Sequence, residues 1–559
     1  MDVEKMQTKL ARWSQDQSFE FDDIFNIVCR GEFLYEAWLS VEANLGSETA
    51  GVDGLTAEDY EEQGLKDNLH SLSDRLKSGT YEPDPVRRTY IPKGPEEVRP
   101  LGIPTIEDRI VQESLRMVLE PIYETDFSDD SFGFRPNRSC HDAIKFVNSE
   151  LSPATGRYKR WILDLDIKGY FDNVDHTKLM WILQNRITDP EVLDLIYHTL
   201  KAGVKEGGHV HVTGKGTPQG GIVSPLLANV YLNQLDQWIK QWTEGPKGGP
   251  ESWAYVRYAD DFMILTGGRK DRAVAMKENV EEFLYEELNL RLSQEKSSIR
   301  HAEDGLSFLG YDMIADSTSG VCKMYVPQEA KDYIYSRIRE ATDGDTDVSA
   351  RRKIRSMNSV IRGWAEYYKY CFDASKVFND VGHFLWHRIT HWLAEKHGCS
   401  RSWLFRRELE SRSPIKINGI TLVDPNGMST TLTKSPRRHG HPYLSKDGDG
   451  KPEPQWKKQY REGHPGPDPY LANEEERPGS EDKSQWARVR DENTCQSIRC
   501  DTDGRKSTVV HHIRHRRSED DDRIGNLVTL CQRCHRKVHH TDQVVTVQHE
   551  GMDKPKELT

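Results

Sequence analysis

Two short acidic segments carry carboxylates of the kind that bind a pair of divalent cations. Asp164 and Asp166 alternate with apolar residues after Trp161, and Asp260 and Asp261 lie between two apolar runs. Alternation with a period of two predicts a β-strand with both aspartates on one face, and the two runs predict a β-hairpin with the aspartate pair at its tip. Phosphoryl transfer from a nucleotide uses two Mg²⁺ ions about 3.5–4 Å apart, held by oxygen ligands. The pattern predicts this chemistry, although an aspartate pair at a hairpin tip is also ordinary turn chemistry.

A second group of metal-ligating residues lies near the C-terminus. The cysteines are Cys495, Cys500, Cys531 and Cys534, and the polar residues interleaved with them are His511, His512, Asn526, His535 and His539. Two cysteine pairs have the chemistry of a tetrahedral structural Zn²⁺ site. The cysteines and histidines lie within a short module, from about Gln485 to Val547. A module of this size buries little hydrophobic core, so a bound metal ion is expected to stabilise its fold. From the residues alone, the alternative is a purely structural zinc ribbon in which the histidines are incidental.

The elements that must position these residues indicate an α+β protein of several domains. A chain of 559 residues is too long for one hydrophobic core. Residues 106–310 alternate apolar strands with amphipathic helices, and residues 325–410 are predicted to be mostly helical, with aromatic faces around Trp364, Trp386 and Trp392. Residues 440–483 are rich in proline, glycine and charge, which predicts a linker.

The charge distribution indicates a nucleic-acid partner although the chain is acidic overall. The formal net charge is −13, yet residues 351–439 carry 17 Lys and Arg against 7 Asp and Glu. Such a segment is suited to phosphate binding, with a solvated helix surface as the alternative. No apolar run is long enough for a membrane span, and the cysteine pattern favours one metal site in a reducing compartment over a disulfide framework. We therefore expect a cytoplasmic protein with no membrane partner.

Ordered sequence blocks around the acidic segments resemble group II intron reverse transcriptases. The blocks are Gly51-Val-Asp-Gly-Leu-Thr56, Tyr90-Ile-Pro-Lys93, Arg99-Pro-Leu-Gly-Ile-Pro104, Ser131-Phe-Gly-Phe-Arg-Pro136, Gly216-Thr-Pro-Gln-Gly-Gly221, Leu306-Ser-Phe-Leu-Gly-Tyr311 and Ile361-Arg-Gly-Trp-Ala-Glu-Tyr-Tyr368. Together with the nuclease-like C-terminus, the resemblance covers nearly the whole chain. It implies a right-hand polymerase with fingers, palm and a helical thumb. The C-terminal residues resemble the HNH, or ββα-metal, nucleases and imply a small zinc-stabilised domain after the polymerase.

The resemblance also implies domain boundaries. The expected domains are an N-terminal extension and fingers (1–105), the fingers and palm of the reverse transcriptase (106–320), a thumb or maturase X region (325–400), a DNA-binding segment and linker (401–483) and an HNH endonuclease (484–549).

Roles for the polymerase residues follow from the same resemblance. Asp166, Asp260 and Asp261 match the catalytic triad that binds Mg²⁺, and Asp164 is the rival on the first strand, ranked as supporting. Phe171 occupies the steric-gate position, where a ring would exclude a ribose 2′-OH, with core packing as its alternative. The resemblance assigns Gln219 to contact with the incoming nucleotide. Lys93 and Arg99 are expected to neutralise its triphosphate, or else are surface cations.

Roles for the nuclease residues are carried over in the same way. His511, His535 and His539 are the expected ligands of a divalent ion, most simply Mg²⁺. His512 is the expected general base, a task that suits a side chain titrating near neutrality, and Asn526 orients the loop and His512. The four cysteines hold structural Zn²⁺.

Together these resemblances imply an RNA-directed DNA polymerase of a mobile group II intron. Its partners would be intron RNA, target DNA and dNTPs, and a dimer is left open. The nuclease would nick target DNA to prime cDNA synthesis, and the protein would assist splicing of its intron RNA. The alternatives are a splicing-only RNA-binding maturase with decayed active sites, and a domesticated defence or diversity-generating reverse transcriptase.

Overall fold

The computed structural model describes most of the first 444 residues. They are residues 2–44, 46–92, 98–155, 158–211, 214–217, 219–243, 252–343, 346, 348–417, 419–431 and 440–444, followed by the backbone of four short strands between 508 and 558. The chain divides into two compact units, Met1–Ala37 with Thr49–Lys451, and Trp38–Glu48 with Pro452–Thr559. No helix in the described part of the chain combines the length and the apolarity that crossing a bilayer requires.

Helices dominate the described residues. They are α1 (Val3–Ser14), α2 (Phe25–Val28), α3 (Gly31–Glu42), α4 (Ala57–Glu62), α5 (Leu65–Lys77), α6 (Ile106–Tyr123), α7 (Cys140–Glu150), α8 (Tyr170–Asn173), α9 (His176–Gln184), α10 (Pro190–Lys201), α11 (Ser224–Thr243), α12 (Lys270–Leu288), α13 (Gln328–Thr342), α14 (Ala350–Tyr368), α15 (Ala374–Lys396) and α16 (Arg401–Arg407).

Short strands form several small sheets among these helices. They are β1 (Val86–Pro92), β2 (Val98–Ile103), β3 (Trp161–Asp166), β4 (Val204–Glu206), β5 (His209–His211), β6 (Trp253–Tyr258), β7 (Asp261–Thr266), β8 (Ser298–His301), β9 (Leu306–Phe308), β10 (Tyr311–Asp316), β11 (Val321–Tyr325), β12 (Ser411–Arg412), β13 (Ile415–Ile417), β14 (Ile420–Thr421), β15 (Thr508–His512), β16 (Leu527–Cys531), β17 (Val545–Val547) and β18 (Lys556–Leu558). The mixture of helices and strands confirms the predicted α+β character of the chain.

The four-stranded sheet β6-β7-β3-β8 contains both acidic segments. All its neighbours are antiparallel, and the register aligns Ile162 with Leu265 and Asp164 with Met263. The apolar end of this face, with Ile162, Met263 and Leu265, belongs to a buried cluster that includes residues of α7. Leu163 and Leu165 are buried on the other face of β3. Packing on both faces holds the strands rigidly and leaves the acidic end of the sheet free for chemistry.

A second sheet, in the order β2-β1-β4-β5, lies in the same unit. β1 and β2 are antiparallel, with Ile91 opposite Arg99, and β1 runs parallel to β4. The long helix α6 follows β2 directly, and Thr105 caps its N-terminus by accepting from the Asp108 amide at 3.2 Å. β2 is thus attached to a largely buried helix, which fixes the strand that carries Arg99.

Helices α13 to α16 confirm the helical prediction for residues 325–410 apart from its last residues, which lead into β12. Trp392 is fully buried on α15 and Trp364 is nearly buried on α14. The hydroxyl of Tyr367 on α14 donates to the carbonyl of Leu309 at 2.6 Å. Leu309 and the following Gly310 both have positive φ, at 46° and 72°. The two separated sequence blocks, around 306–311 and 361–368, are therefore in direct contact at this tight turn.

In the second unit, β15 and β16 form an antiparallel pair. His511 lies opposite Val528, His512 lies opposite Leu527, and Thr508 lies opposite Cys531. The two adjacent histidines therefore lie at the end of one strand, directly opposite the start of the next. β17 and β18 form a separate antiparallel pair.

Candidate active site

The strand register brings the two acidic segments together. Asp166, the last residue of β3, lies directly opposite Asp261, the first residue of β7. Asp260 occupies the turn between β6 and β7, next to Ala259, whose φ is 58°. Asp164 lies one row further into the sheet, opposite Met263 and Ser298. The structure thus places Asp166, Asp260 and Asp261 at one end of the sheet, with Asp164 two residues before Asp166 on the same face of β3.

The carboxylates in this cluster destabilise one another's charged forms. Burial, followed by the negative charges of Asp260, Asp166 and Asp164, raises the pKa of Asp261 to about 6. Burial is also the main cause that raises the pKa of Asp260, with Asp166 adding to it. Carboxylate oxygens are the ligands that hard divalent cations prefer. A cation bound here would offset the repulsion between the negative charges.

This repulsion leads to a pH-dependent stability prediction. An unfolded aspartate titrates near 3.9, so raising the pKa of folded Asp261 to about 6 destabilises the metal-free fold above that pH. The penalty is complete above about pH 6 and shrinks as the pH falls towards 4. We expect Asp261→Asn to raise the thermal midpoint in EDTA more at pH 8 than at pH 5. The control is Asp194→Asn, which removes an exposed carboxylate from α10. If Asp261→Asn raised the thermal midpoint equally at both pH values, the prediction would be contradicted.

Cations that the sequence alone did not single out contact the cluster. The Lys296 ammonium lies 3.5 Å from Asp166 Oδ2, and its charge lowers the pKa of both Asp260 and Asp261. Arg300 on β8 lies 3.9 Å from Asp164 Oδ2. Arg99 was predicted to serve the site, and its charge lowers the pKa of Asp260. The site therefore combines clustered negative charge with cations at its margin.

The loop after β5 links Phe171 to the strand of Arg99. The amide of Thr217 donates to the carbonyl of Phe171 at 2.7 Å. Two residues later, the carbonyl of Gln219 accepts from the amide of Gly102 on β2 at 2.6 Å. The next residue, Gly220, has a φ of 111°, and a side chain there would overlap the Gly102 carbonyl. These contacts explain the glycine-rich block and bring Phe171, Gln219 and β2 into one neighbourhood.

Phe171 itself is half-buried, on the short helix α8 that follows β3. Its neighbour Tyr170 is buried and donates from its hydroxyl to the carbonyl of Ala228 on α11 at 2.6 Å. The two rings meet edge to face, with centroids 5.4 Å apart. Tyr170 thus packs into the core, whereas Phe171 is only partly buried.

Metal binding was predicted at both acidic segments and at the C-terminal residues. Among the described residues, no group of three or more His, Cys, Asp or Glu side chains is arranged so that it could hold a metal ion. Of the nuclease residues, His511, His512 and Cys531 lie on described backbone. The remaining predicted residues lie outside the described residues; they are Lys93, Cys495, Cys500, Asn526, Cys534, His535 and His539.

Comparison with known protein families yields three matches along the chain. The family described as "Reverse transcriptase (RNA-dependent DNA polymerase)" matches residues 91–313. "Group II intron, maturase-specific domain" matches residues 332–409, and "HNH endonuclease" matches residues 495–541. The three matches follow one another in the order that the sequence blocks predict.

Individual proteins are also similar to parts of this chain. Protein YkfC of Escherichia coli is 38% identical over 339 residues, which cover 56% of this chain and 89% of YkfC. The group II intron-encoded protein LtrA of Lactococcus lactis is 37% identical over 363 residues, 54% of this chain and 59% of LtrA. Nuclear intron maturase 1 of Arabidopsis thaliana mitochondria is 26% identical over 291 residues, 37% of this chain and 40% of the relative.

Proposed function

We propose, on the premise that this chain belongs to the group II intron-encoded reverse transcriptases and carries a maturase-specific and an HNH endonuclease domain, that it copies RNA into DNA at the cluster of Asp166, Asp260 and Asp261. The observation that carries the proposal is the register of β3 and β7, which sets Asp166 opposite Asp261 with Asp260 in the adjoining turn. Three carboxylates on rigid neighbouring elements suit a metal-dependent nucleotidyl transferase.

In this proposal the three aspartates hold Mg²⁺. Bound there, the ions would supply charge stabilisation for the attacking and leaving oxygens. Arg99 and Lys93 bind the triphosphate, and the electrostatic effect of Arg99 on Asp260 supports a position near the cluster. Gln219 contacts the incoming nucleotide, and its hydrogen bond to β2 supports that placement. Asp164 has a supporting role, since it lies opposite Met263 rather than opposite Asp261, and its carboxylate lies 3.9 Å from Arg300.

Phe171 is proposed to select deoxynucleotides by excluding a 2′-OH. We expect Phe171→Val to increase ribonucleotide incorporation relative to dNTPs by about 10–200-fold, the range that a steric contact in a pocket provides. The measurement is single-nucleotide extension with matched dNTP and rNTP. Phe372→Val, at an exposed phenylalanine between α14 and α15, is the matched control. Unchanged discrimination in Phe171→Val would reassign the ring to core packing.

The helical segment 325–400 is proposed to be the thumb, and residues 401–483 the DNA-binding segment and linker. The excess of Lys and Arg between 351 and 439 supports phosphate contacts with intron RNA and target DNA. Through such contacts the protein would stabilise the folded intron RNA and assist its splicing.

The C-terminal domain is proposed to nick target DNA and so provide the 3′-OH that primes cDNA synthesis. His511, His535 and His539 would bind the divalent ion, His512 would act as the general base, and Asn526 would orient it. The pairing of β15 with β16, which places both adjacent histidines at a strand end, supports this assignment. Zn²⁺ bound by the four cysteines would hold the small domain together.

The experiment that tests the proposal uses the purified full chain with an RNA template, a DNA primer and dNTPs. We expect a DNA product complementary to the RNA, abolished by EDTA and restored by Mg²⁺. A parallel reaction on double-stranded target DNA tests nicking. Binding of intron RNA without DNA synthesis or nicking would favour the splicing-only alternative.

A further inference from the structure

A buried arginine beneath the aspartate hairpin has no role in the chemistry proposed above. Arg257 directly precedes Tyr258 on β6, and it is fully buried. The register pairs Arg257 with Phe262 and Tyr258 with Asp261. Since neighbouring positions alternate between faces, the Arg257 side chain lies on the opposite face of the sheet from Asp261 and Asp166. It therefore cannot serve as a direct contact of substrate or metal.

The charge of Arg257 is neutralised by Asp236 of α11. Nε donates to Asp236 Oδ1 at 2.8 Å and Nη2 to Oδ2 at 2.5 Å. The hydroxyl of Tyr255 donates to the same Oδ1 at 2.6 Å, and both charged side chains are 0% exposed. A buried ion pair adds little net stability, because the cost of removing both charges from water offsets their attraction. Stability alone therefore does not account for this pair.

The third guanidinium nitrogen reaches the tip of the hairpin. Nη1 donates to the carbonyl of Ala259 at 3.0 Å and to Asn229 Oδ1 at 2.8 Å. That carbonyl belongs to the peptide bond between Ala259 and Asp260. Ala259 has a φ of 58°, a conformation that residues other than glycine seldom adopt. Arg257 thus holds the peptide unit that directly precedes Asp260.

Asn229 connects this contact to a second loop. Its Nδ2 donates to the carbonyl of Gly133 at 2.9 Å. A side chain at position 133 would overlap the backbone nitrogen of Ala259, and the amide of Phe132 donates to the carbonyl of Arg257 at 2.8 Å. The loop around Gly133 therefore packs backbone to backbone on the hairpin turn. The turn is fixed by the guanidinium and by this loop, and Asn229 joins the two.

We propose that Arg257, Asn229 and Asp236 form a positioning group that fixes the Ala259–Asp260 peptide. In this way the three residues orient the carboxylates of Asp260 and Asp261 towards the metal ions. The inference rests on the proposed polymerase function and adds to it three residues that touch neither nucleotide nor metal. Misplacing a catalytic group by about 1 Å can lower a rate by about 10²-fold. The positioning group therefore has a large effect on the rate although it does not contact the nucleotide or the metal ions.

Asn229→Ala is the test variant, because it removes the link while leaving both charges of the ion pair. We expect the rate of RNA-templated primer extension to fall by about 10–100-fold. The Mg²⁺ concentration for half-maximal rate should rise several-fold, and the affinity for template–primer should stay within about twofold. Asn229→Asp keeps an oxygen for Arg257 and loses the donor to Gly133, so its defect should be smaller. It also serves as the second variant if Asn229→Ala does not fold.

Arg186→Lys is the matched control. Arg186 is a buried arginine that lies 3.3 Å from Asp126 and donates to the carbonyl of Ser14 at 2.7 Å. The Arg186→Lys substitution should lower the thermal midpoint while leaving the Mg²⁺ requirement of primer extension unchanged. Asn229 variants that lose stability like the control, with an unchanged Mg²⁺ requirement, would overturn the positioning role. A wild-type chain that extends no primer would overturn the proposed function and this inference with it.

Discussion

Asp166→Asn should reduce RNA-templated DNA synthesis by about 10³-fold or more, while RNA binding stays close to that of the wild type. The substitution preserves shape and removes one of the charges that offset the metal ions, an interaction worth several kcal/mol in the transition state. The strand register predicts a much smaller loss for Asp164→Asn, because Asp164 lies opposite Met263 rather than opposite Asp261.

Single-turnover primer extension at saturating template measures both variants. Asp164→Asn is the matched control, since it makes the same chemical change two residues away on the same strand. If Asp166→Asn polymerised normally and Asp164→Asn lost activity, the catalytic aspartate of β3 would be Asp164 instead of Asp166.

The second large effect is expected in the C-terminal domain. If His512 is the general base, His512→Ala should slow nicking of target DNA by about 10²–10⁴-fold, the usual contribution of such a group. Zinc content, primer extension and splicing assistance should be unaffected, because the proposed Zn²⁺ site uses thiolates and the polymerase lies elsewhere in the chain.

Cys531→Ser provides the complementary comparison. It should release Zn²⁺ and unfold the domain, because a structural zinc site contributes folding free energy directly. Primer extension should still proceed. A nicking assay combined with metal analysis of each variant separates the two roles. Nicking that survives His512→Ala would favour a structural zinc ribbon.

Part of the site could be predicted from local sequence, because strand periodicity is a local property. The alternation around Asp164 and Asp166 predicts one shared face, and the runs flanking Asp260 predict the hairpin; the structure has both. Which aspartate of β3 faces the hairpin depends on the register between strands, which no local pattern contains. The family resemblance, rather than the spacing, favoured Asp166.

Residues that act across long sequence separations could not be predicted from sequence. Lys296 meets Asp166 only because β8 folds back against β3. Arg257 did carry a local signal, since it is a charged residue within an otherwise apolar run leading to Tyr258. Its partner Asp236 lies on a helix and had no pattern of its own. For Lys93 and the nuclease ligands the assignments stay predictions.

The central claim, that Asp166 and the hairpin aspartates bind the same metal ions, can be tested by localised cleavage with Fe²⁺ in place of Mg²⁺. Fe²⁺ bound at the site, with ascorbate and peroxide, generates hydroxyl radicals that cut the nearest backbone. The account predicts cuts near residue 166 and near residues 260–261 at the same Fe²⁺ concentration, suppressed by excess Mg²⁺ and absent in Asp261→Asn. Cleavage at only one of the two segments, or cleavage unaffected by Asp261→Asn, would contradict it.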